Sequence, residues 1–130
     1  ARNGLYPSTC TNSASTCVDT GANWRANCTN SWDTSIVCQA NYIPGLAPDF
    51  IPSLPQDPRL NLVNPSSDRQ GCRDNPRNTY MYKSNGIDYK FVAICGPEGT
   101  LNDNDLFYDP HASRFNSAWQ VSSSSTSKAW

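Results

Sequence analysis

The sequence contains little charge and no excess of either sign. Charged residues make up 16% of the 130 residues, and ten Lys and Arg side chains nearly balance eleven Asp and Glu side chains, which leaves a formal net charge of −1. Such a chain has no overall field that would attract nucleic acid or an anionic membrane surface. The composition therefore argues against a nucleic-acid-binding protein.

Long apolar runs are also missing. Hydrophobic residues account for only 37% of the chain, and no run approaches the roughly 18 to 20 apolar residues needed to cross a bilayer. The first residues, ARNGLYPSTC, lack the apolar core of a secretory signal. We expect one soluble domain over residues 1–130, in which long loops outweigh regular structure, because this length is typical of a single domain.

Groups suited to catalysis are scarce. The only histidine is His111, the only glutamate is Glu98, and neither a G-x-S-x-G motif nor a phosphate-binding glycine loop is present. A serine or cysteine nucleophile needs a positioned base, and His111 is the one candidate for that role. We therefore predict no enzymatic activity, and a secreted hydrolase that uses His111 or paired acids is the least favoured hypothesis.

Cysteine, in contrast, is plentiful. No pair is spaced C-x2-C and His111 has no partner at ligand spacing, which disfavours a zinc site. An even number of cysteines in a small chain rich in Ser, Thr and Asn is typical of disulfides formed in an oxidising compartment. Six cysteines allow about 15 pairings. As a hypothesis we favour nearest neighbours, which close short local loops: Cys10 with Cys17, Cys28 with Cys38, and Cys72 with Cys95.

Two regions in the first half of the chain differ in composition. Residues 8–41 hold four of the cysteines and show neither a helical nor a strand period, so we predict a disulfide-stapled surface loop. Residues 42–58 contain five prolines, which exclude a long helix and favour extended backbone. The apolar residues between these prolines predict a strap that lies on the core.

The second half predicts an antiparallel sheet over residues 78–125. Asn85-Gly86 separates two runs rich in Tyr, Phe, Val and Ile, and this pair favours a hairpin with a type I′ turn. Residues 117–125 supply a third strand with Trp119 and Val121 on one face. No segment has the amphipathic helical period needed to cover this sheet. We therefore expect an apolar sheet face that awaits a helix from elsewhere.

Four stretches, taken in order, resemble the globular part of type IV pilins and type II secretion pseudopilins. They cover residues 1–7 and most of 42–130. The matching positions are Asn3-Gly4-Leu5-Tyr6-Pro7; Tyr42, Leu46, Phe50, Ile51, Leu54, Pro55, Asp57, Pro58 and Arg59; Tyr80, Tyr82, Ser84, Gly86, Asp88, Tyr89 and Lys90; and Asp109, Pro110, Trp119, Gln120, Val121, Ser122, Ala129 and Trp130.

The resemblance implies an α+β head with a small antiparallel sheet, long disulfide-stapled loops and an N-terminal helix that is largely absent from this chain. That helix would precede Ala1 or belong to a separate subunit. The implied function is that of a structural subunit of an extracellular pilus or pseudopilus, with copies of itself or other pilins as partners. Its location would be the cell surface, with exposure to the periplasm during assembly. The long cysteine-rich loop departs from typical pseudopilins, so a pilus subunit or minor pilin is at least as plausible.

One segment could bind a metal ion. Acids and amides alternate between residues 101 and 109, and calcium prefers several such oxygen ligands. The EF-hand pattern fails there, because the required Gly and Glu are missing, and a polar turn is the favoured alternative. Some pseudopilins use calcium in the corresponding loop. No other cofactor is expected. The candidate calcium ligands are Asn102, Asp103, Asp105 and Asp109.

Aromatic residues in the loops suggest an alternative function. Trp24 and Trp32 lie in the cysteine-rich region, and exposed aromatic rings there could bind a glycan or another surface. The alternative to a filament subunit is thus a minor pilin or a secreted binding module. Core packing is the more common fate of such residues.

Overall fold

A computed structural model describes residues 6–9, 24–28, 36–60, 62, 78–95, 104–110 and 118–129. These residues form a five-stranded sheet and one short helix, which is compatible with the predicted α+β class. The sheet is mixed, so the expectation of a purely antiparallel sheet is wrong. The elements are β1 (Trp24–Ala26), β2 (Ile36–Cys38), β3 (Tyr80–Ser84), β4 (Tyr89–Ile94), β5 (Ala118–Ser122) and α1 (Ser125–Lys128).

The strand order is β2-β1-β3-β4-β5. Strands β1 and β2 are parallel, and every other neighbouring pair is antiparallel. The predicted hairpin and third strand are confirmed, since β3 pairs with β4 and β4 pairs with β5. In the part of the chain described, no helix is long and apolar enough to span a bilayer.

The turn of the β3–β4 hairpin differs from the prediction. Ser84 pairs with Tyr89, so residues 85–88 all belong to the loop and a two-residue type I′ turn is wrong. Among residues 85–88 only Gly86 has a positive φ, of 96°. The side chain of Asn85 supports the longer loop, because its Oδ1 accepts hydrogen bonds from the backbone N–H groups of Ile87 and Asp88, at 2.9 and 2.7 Å. Asn85 acts here through its short polar side chain rather than through left-handed backbone.

The cysteine-rich region contributes two of the five strands, so the prediction of a loop throughout residues 8–41 is wrong at β1 and β2. The predicted Cys28–Cys38 disulfide is present, with a distance of 5.0 Å between the two Cα atoms. It ties the residues beside β1 to the end of β2. Cys95 is also disulfide-bonded. The predicted partners of the other two bridges, Cys10, Cys17 and Cys72, lie outside the described residues.

The proline-rich segment lies on one face of the sheet, as predicted for a strap. Alternation along the strands gives this face its aromatic side chains, which we call the aromatic face: Tyr80, Tyr82, Tyr89, Phe91 and Trp119. Tyr42 and Leu54 of the strap are buried against Tyr82, and other apolar strap residues pack around them. The strap thus serves as the covering layer on this side.

The opposite face carries smaller and mostly aliphatic side chains, and we call it the aliphatic face. Its core cluster also includes Cys95, which follows β4, and its members are at most 8% exposed: Trp24, Ala26, Ile36, Met81, Val92, Ile94, Cys95 and Ala118. The expectation of an open apolar sheet face is therefore wrong for this face. The prediction considered only an amphipathic helix as a cover for the sheet. Irregular segments can also exclude water from a small sheet.

Removing the Cys28–Cys38 bridge tests how far the parallel β1–β2 pair depends on it. We expect the Cys28→Ala/Cys38→Ala double variant to lose about 2.5 to 3 kcal/mol of unfolding free energy, because the unfolded chain gains loop entropy. Urea unfolding followed by tryptophan fluorescence measures this loss. An unchanged unfolding free energy would show that strand pairing alone holds this edge of the sheet.

Candidate functional site

The segment that leads into the sheet is fixed to the β3–β4 hairpin. Tyr6 donates its backbone N–H to Gly86 O at 2.8 Å, and Thr9 donates its own to Ser84 O at 3.0 Å. The Thr9 hydroxyl also accepts the Ser84 N–H at 3.1 Å. We call residues 6–9 the entry segment. Its hydrogen bonds resemble those of an added strand at the hairpin end.

Aromatic contacts reinforce the entry segment. The ring of Tyr6 lies edge-on to that of Tyr89, with 4.6 Å between their centroids, and the Tyr82 hydroxyl donates to Pro7 O at 3.0 Å. Such ring pairs add roughly 0.5 to 1.5 kcal/mol beyond simple burial. The conformation of the chain at this point is thus set by both backbone and side-chain contacts.

Two tyrosines, Tyr42 of the strap and Tyr82 of the aromatic face, are buried side chains that pack in the same cluster. Tyr42 is fully buried and donates to Pro55 O at 2.9 Å. Burial raises the pKa of Tyr42 well above its usual value, and the nearby Tyr80 adds to this shift. Burial also raises the pKa of Tyr82, partly offset by a hydrogen bond with Ser84. In both cases the low-dielectric surroundings disfavour the charged phenolate.

These raised pKa values predict that alkali destabilises the fold. Above the ordinary tyrosine pKa of about 10, the unfolded chain releases protons that folded Tyr42 and Tyr82 retain, so the unfolding free energy falls as pH increases. We expect Tyr42→Phe to make this fall shallower. At neutral pH the same variant should lose about 1 kcal/mol, because the bond to Pro55 is missing. Urea unfolding at a series of alkaline pH values measures both effects, and identical pH slopes for the two chains would contradict the assignment.

A buried ion pair joins three parts of the chain. Lys90 of β4 places its Nζ 2.7 Å from Asp109 Oδ1, and both side chains are 0% exposed. The same Nζ donates to Lys128 O in α1 at 2.8 Å. The ammonium group therefore connects the central sheet, the 104–110 segment and the last helical residue. We call Lys90, Asp109 and Lys128 the lysine clamp.

Removing one charge of the Lys90–Asp109 pair should lower the unfolding free energy far more than removing both charges. Lys90→Met leaves a buried carboxylate without its cation, and we expect a loss of about 3 to 5 kcal/mol in unfolding free energy. Lys90→Met/Asp109→Leu removes both charges and should recover most of this loss. Urea unfolding of the two single variants and the double variant measures the coupling. If the loss in the double variant equals the sum of the losses in the two single variants, the two side chains do not act as a pair.

An apolar patch is exposed beside β5. Leu106 is 77% exposed, Phe107 is 50% exposed and Val121 is 36% exposed. The ring of Phe107 contacts that of Trp119, with 6.3 Å between centroids, and the Phe107 carbonyl accepts the Gln120 N–H at 2.8 Å. We call Leu106, Phe107 and Val121 the β5 patch. Contiguous exposed apolar groups of this kind mark contact surfaces more often than isolated ones do.

The candidate glycan-binding tryptophans do not form an exposed pair in the described residues. Trp24 is 6% exposed and belongs to the core of the aliphatic face, so it packs in the core and does not present an exposed ring. Its ring lies 5.7 Å from Lys83 Nζ, a cation–π contact. Trp32 lies outside the described residues. Trp119, predicted to pack on the sheet, contacts Phe91 with 5.9 Å between ring centroids.

The candidate calcium ligands are only partly described. Asp109 belongs to the lysine clamp. Its carboxylate is buried and paired with the Lys90 ammonium group, so it is not part of an exposed ligand loop. Asp105 is half-buried, while Asn102 and Asp103 lie outside the described residues. Within the ranges that the structure covers, no three His, Cys, Asp or Glu residues are grouped closely enough to hold a metal ion. Calcium binding by the remaining residues stays a prediction. His111 is not among the described residues either.

Sequence reasoning missed the lysine clamp, although one signal pointed to it. Lys90 occupies the same strand face as Val92 and Ile94, a face buried elsewhere in the sheet. A lysine at such a position requires a buried acceptor. The sequence could not identify Asp109 as that acceptor, because the two residues lie on different segments.

No family model, curated protein or solved structure matches this chain.

Proposed function

We propose that this chain is the head of a filament subunit of the type IV pilin or pseudopilin class, which acts through assembly rather than catalysis. The observation that carries the proposal is the fixed entry segment. In the resemblance described above, the motif Asn3-Gly4-Leu5-Tyr6-Pro7 marks the point where an N-terminal helix passes into the head. Residues 6–9 are joined there to the central hairpin by backbone and aromatic contacts.

A fixed junction of this kind suits a subunit whose head is attached to a filament through an N-terminal helix. A head connected through a loose linker would rotate freely, and neighbouring heads could not pack in a regular array. The Tyr6 and Thr9 hydrogen bonds limit that rotation, because they fix the direction in which the chain enters the hairpin. The entry segment therefore supports a role in ordered assembly.

The order of the other elements supports the same class. The strap precedes the hairpin and the hairpin precedes β5, which is the order of the matching motifs. The Cys28–Cys38 disulfide favours an oxidising location such as the cell exterior. The β5 patch offers an apolar surface through which one head could contact another.

The proposal can be tested in cells that express the complete gene. We expect filaments sheared from the cell surface to contain this chain, detected by mass spectrometry and by immunogold labelling along their length. As a control, cells that lack the gene should release no labelled material. Recovery of the chain only as a free monomer would contradict the proposal, and label confined to filament tips would favour the minor-pilin alternative.

The β5 patch gives a point variant for the same assay. Leu106→Ser should reduce the chain recovered in filaments at least several-fold, because apolar area at the contact is lost. The unfolding free energy should change little, since Leu106 is 77% exposed. Ile87→Ser is a matched control, since Ile87 is 72% exposed at the hairpin loop, away from the β5 patch. Equal incorporation of both variants would exclude the β5 patch as a contact between subunits.

A further inference from the structure

The loop of the β3–β4 hairpin brings together the groups needed for a chemical change in its own backbone. Asn85 and Gly86 are adjacent, both are half-buried rather than enclosed, and Gly86 has no side chain to hinder approach of its nitrogen. This loop is fixed by hydrogen bonds on both sides of the Asn85-Gly86 peptide. Its geometry bears on the reactivity of the Asn85 amide.

The carbonyl of the Asn85 side chain is held by two donors. Its Oδ1 accepts the N–H of Ile87 at 2.9 Å and the N–H of Asp88 at 2.7 Å. Two backbone N–H groups on one carbonyl oxygen withdraw electron density from Cγ. They would also stabilise the negative charge that develops on Oδ1 if a nucleophile attacked Cγ, as in an oxyanion hole.

The nucleophile for Asn85 Cγ is the backbone nitrogen of the next residue, Gly86. Its N–H donates a hydrogen bond to Ser84 Oγ at 3.0 Å, which fixes the orientation of the Gly86 peptide group. Ser84 itself is buried and fixed by the entry segment through Thr9. The loop therefore polarises the carbonyl and orients the N–H at the same time.

We propose that Asn85-Gly86 is a site of spontaneous deamidation that folding accelerates. The Gly86 nitrogen loses its proton to hydroxide, which becomes water, and bonds to Asn85 Cγ. The Cγ–Nδ2 bond then breaks as Nδ2 takes a proton from water, so that ammonia leaves and hydroxide is regenerated. Water then opens the cyclic succinimide at either carbonyl, which gives aspartate or isoaspartate at position 85. No oxidant, reductant or enzyme is required.

The two products affect the loop differently. Aspartate retains oxygen acceptors for the Ile87 and Asp88 N–H groups and adds one negative charge. Isoaspartate lengthens the main chain between residues 85 and 86, so it displaces the Gly86 carbonyl that accepts the Tyr6 N–H at 2.8 Å. Isoaspartate at this site would weaken the attachment of the entry segment. The fraction of modified chains would increase with the time since folding.

The rate of the reaction in the folded and unfolded chain tests the proposal. The chain is incubated at mildly alkaline pH, either folded or reduced and dissolved in urea, and conversion is followed by peptide mapping with separation of aspartate from isoaspartate. We expect Asn85 to convert about fivefold faster in the folded chain, the factor that one hydrogen bond typically supplies. A rate in the folded chain equal to or below that of the unfolded chain would overturn the proposal.

The sequence provides an internal reference. Asn3-Gly4 is a second Asn-Gly pair in the same molecule, and in urea it should convert at a rate close to that of Asn85. The rate of Asn85 is therefore expressed relative to the rate of Asn3 in the same sample, which corrects for differences between the buffers. Asn85→Gln serves as the control for peptide assignment and should leave the loop peptide unmodified, because the longer side chain closes the ring poorly. This test does not depend on whether the chain forms filaments.

Discussion

The pairing of β3 with β4 is the constraint on which the other described elements depend. One face of this hairpin supports the strap through Tyr82, and the other face contributes Met81, Val92 and Ile94 to the aliphatic core. The loop end receives the entry segment, while β1 and β5 extend the sheet on either side. A shift of one residue in register would exchange the two faces and remove both cores at once. The hairpin thus sets the positions of segments far apart in sequence.

The lysine clamp connects the later segments to this hairpin. Burial of an ammonium group costs several kcal/mol unless its charge and its donors are satisfied. Asp109 supplies the opposite charge and Lys128 O a further acceptor, so both the 104–110 segment and α1 must be in place. Ser124 caps α1, since its hydroxyl accepts the Ser127 N–H at 3.1 Å. A four-residue helix would be unstable alone, and these contacts explain why it forms.

The sequence predicted the elements whose signals are local. Asn85-Gly86 and the flanking Tyr, Phe and Val residues indicated the hairpin, the prolines indicated the strap, and the short spacing of Cys28 and Cys38 indicated their bridge. The sequence did not predict β1 or β2, because strands of three residues are too short to show a period and are formed through pairing with distant residues. For the same reason the sequence could not decide whether Trp24 packs in the core or lies on the surface. The Lys90–Asp109 pair is equally non-local, so composition could indicate its existence but not its partners.

Both borders of the sheet are poor templates for another strand. On one side β2 is only three residues long. On the other side, the main chain at residues 107 and 108 bonds to β5 through the Phe107 carbonyl and a bridge between Tyr108 and Trp119. Long unpaired borders promote runaway β-aggregation when molecules are crowded. Because the described borders are short or already bonded, this sheet exposes few open backbone groups to which a strand of a second molecule could be added.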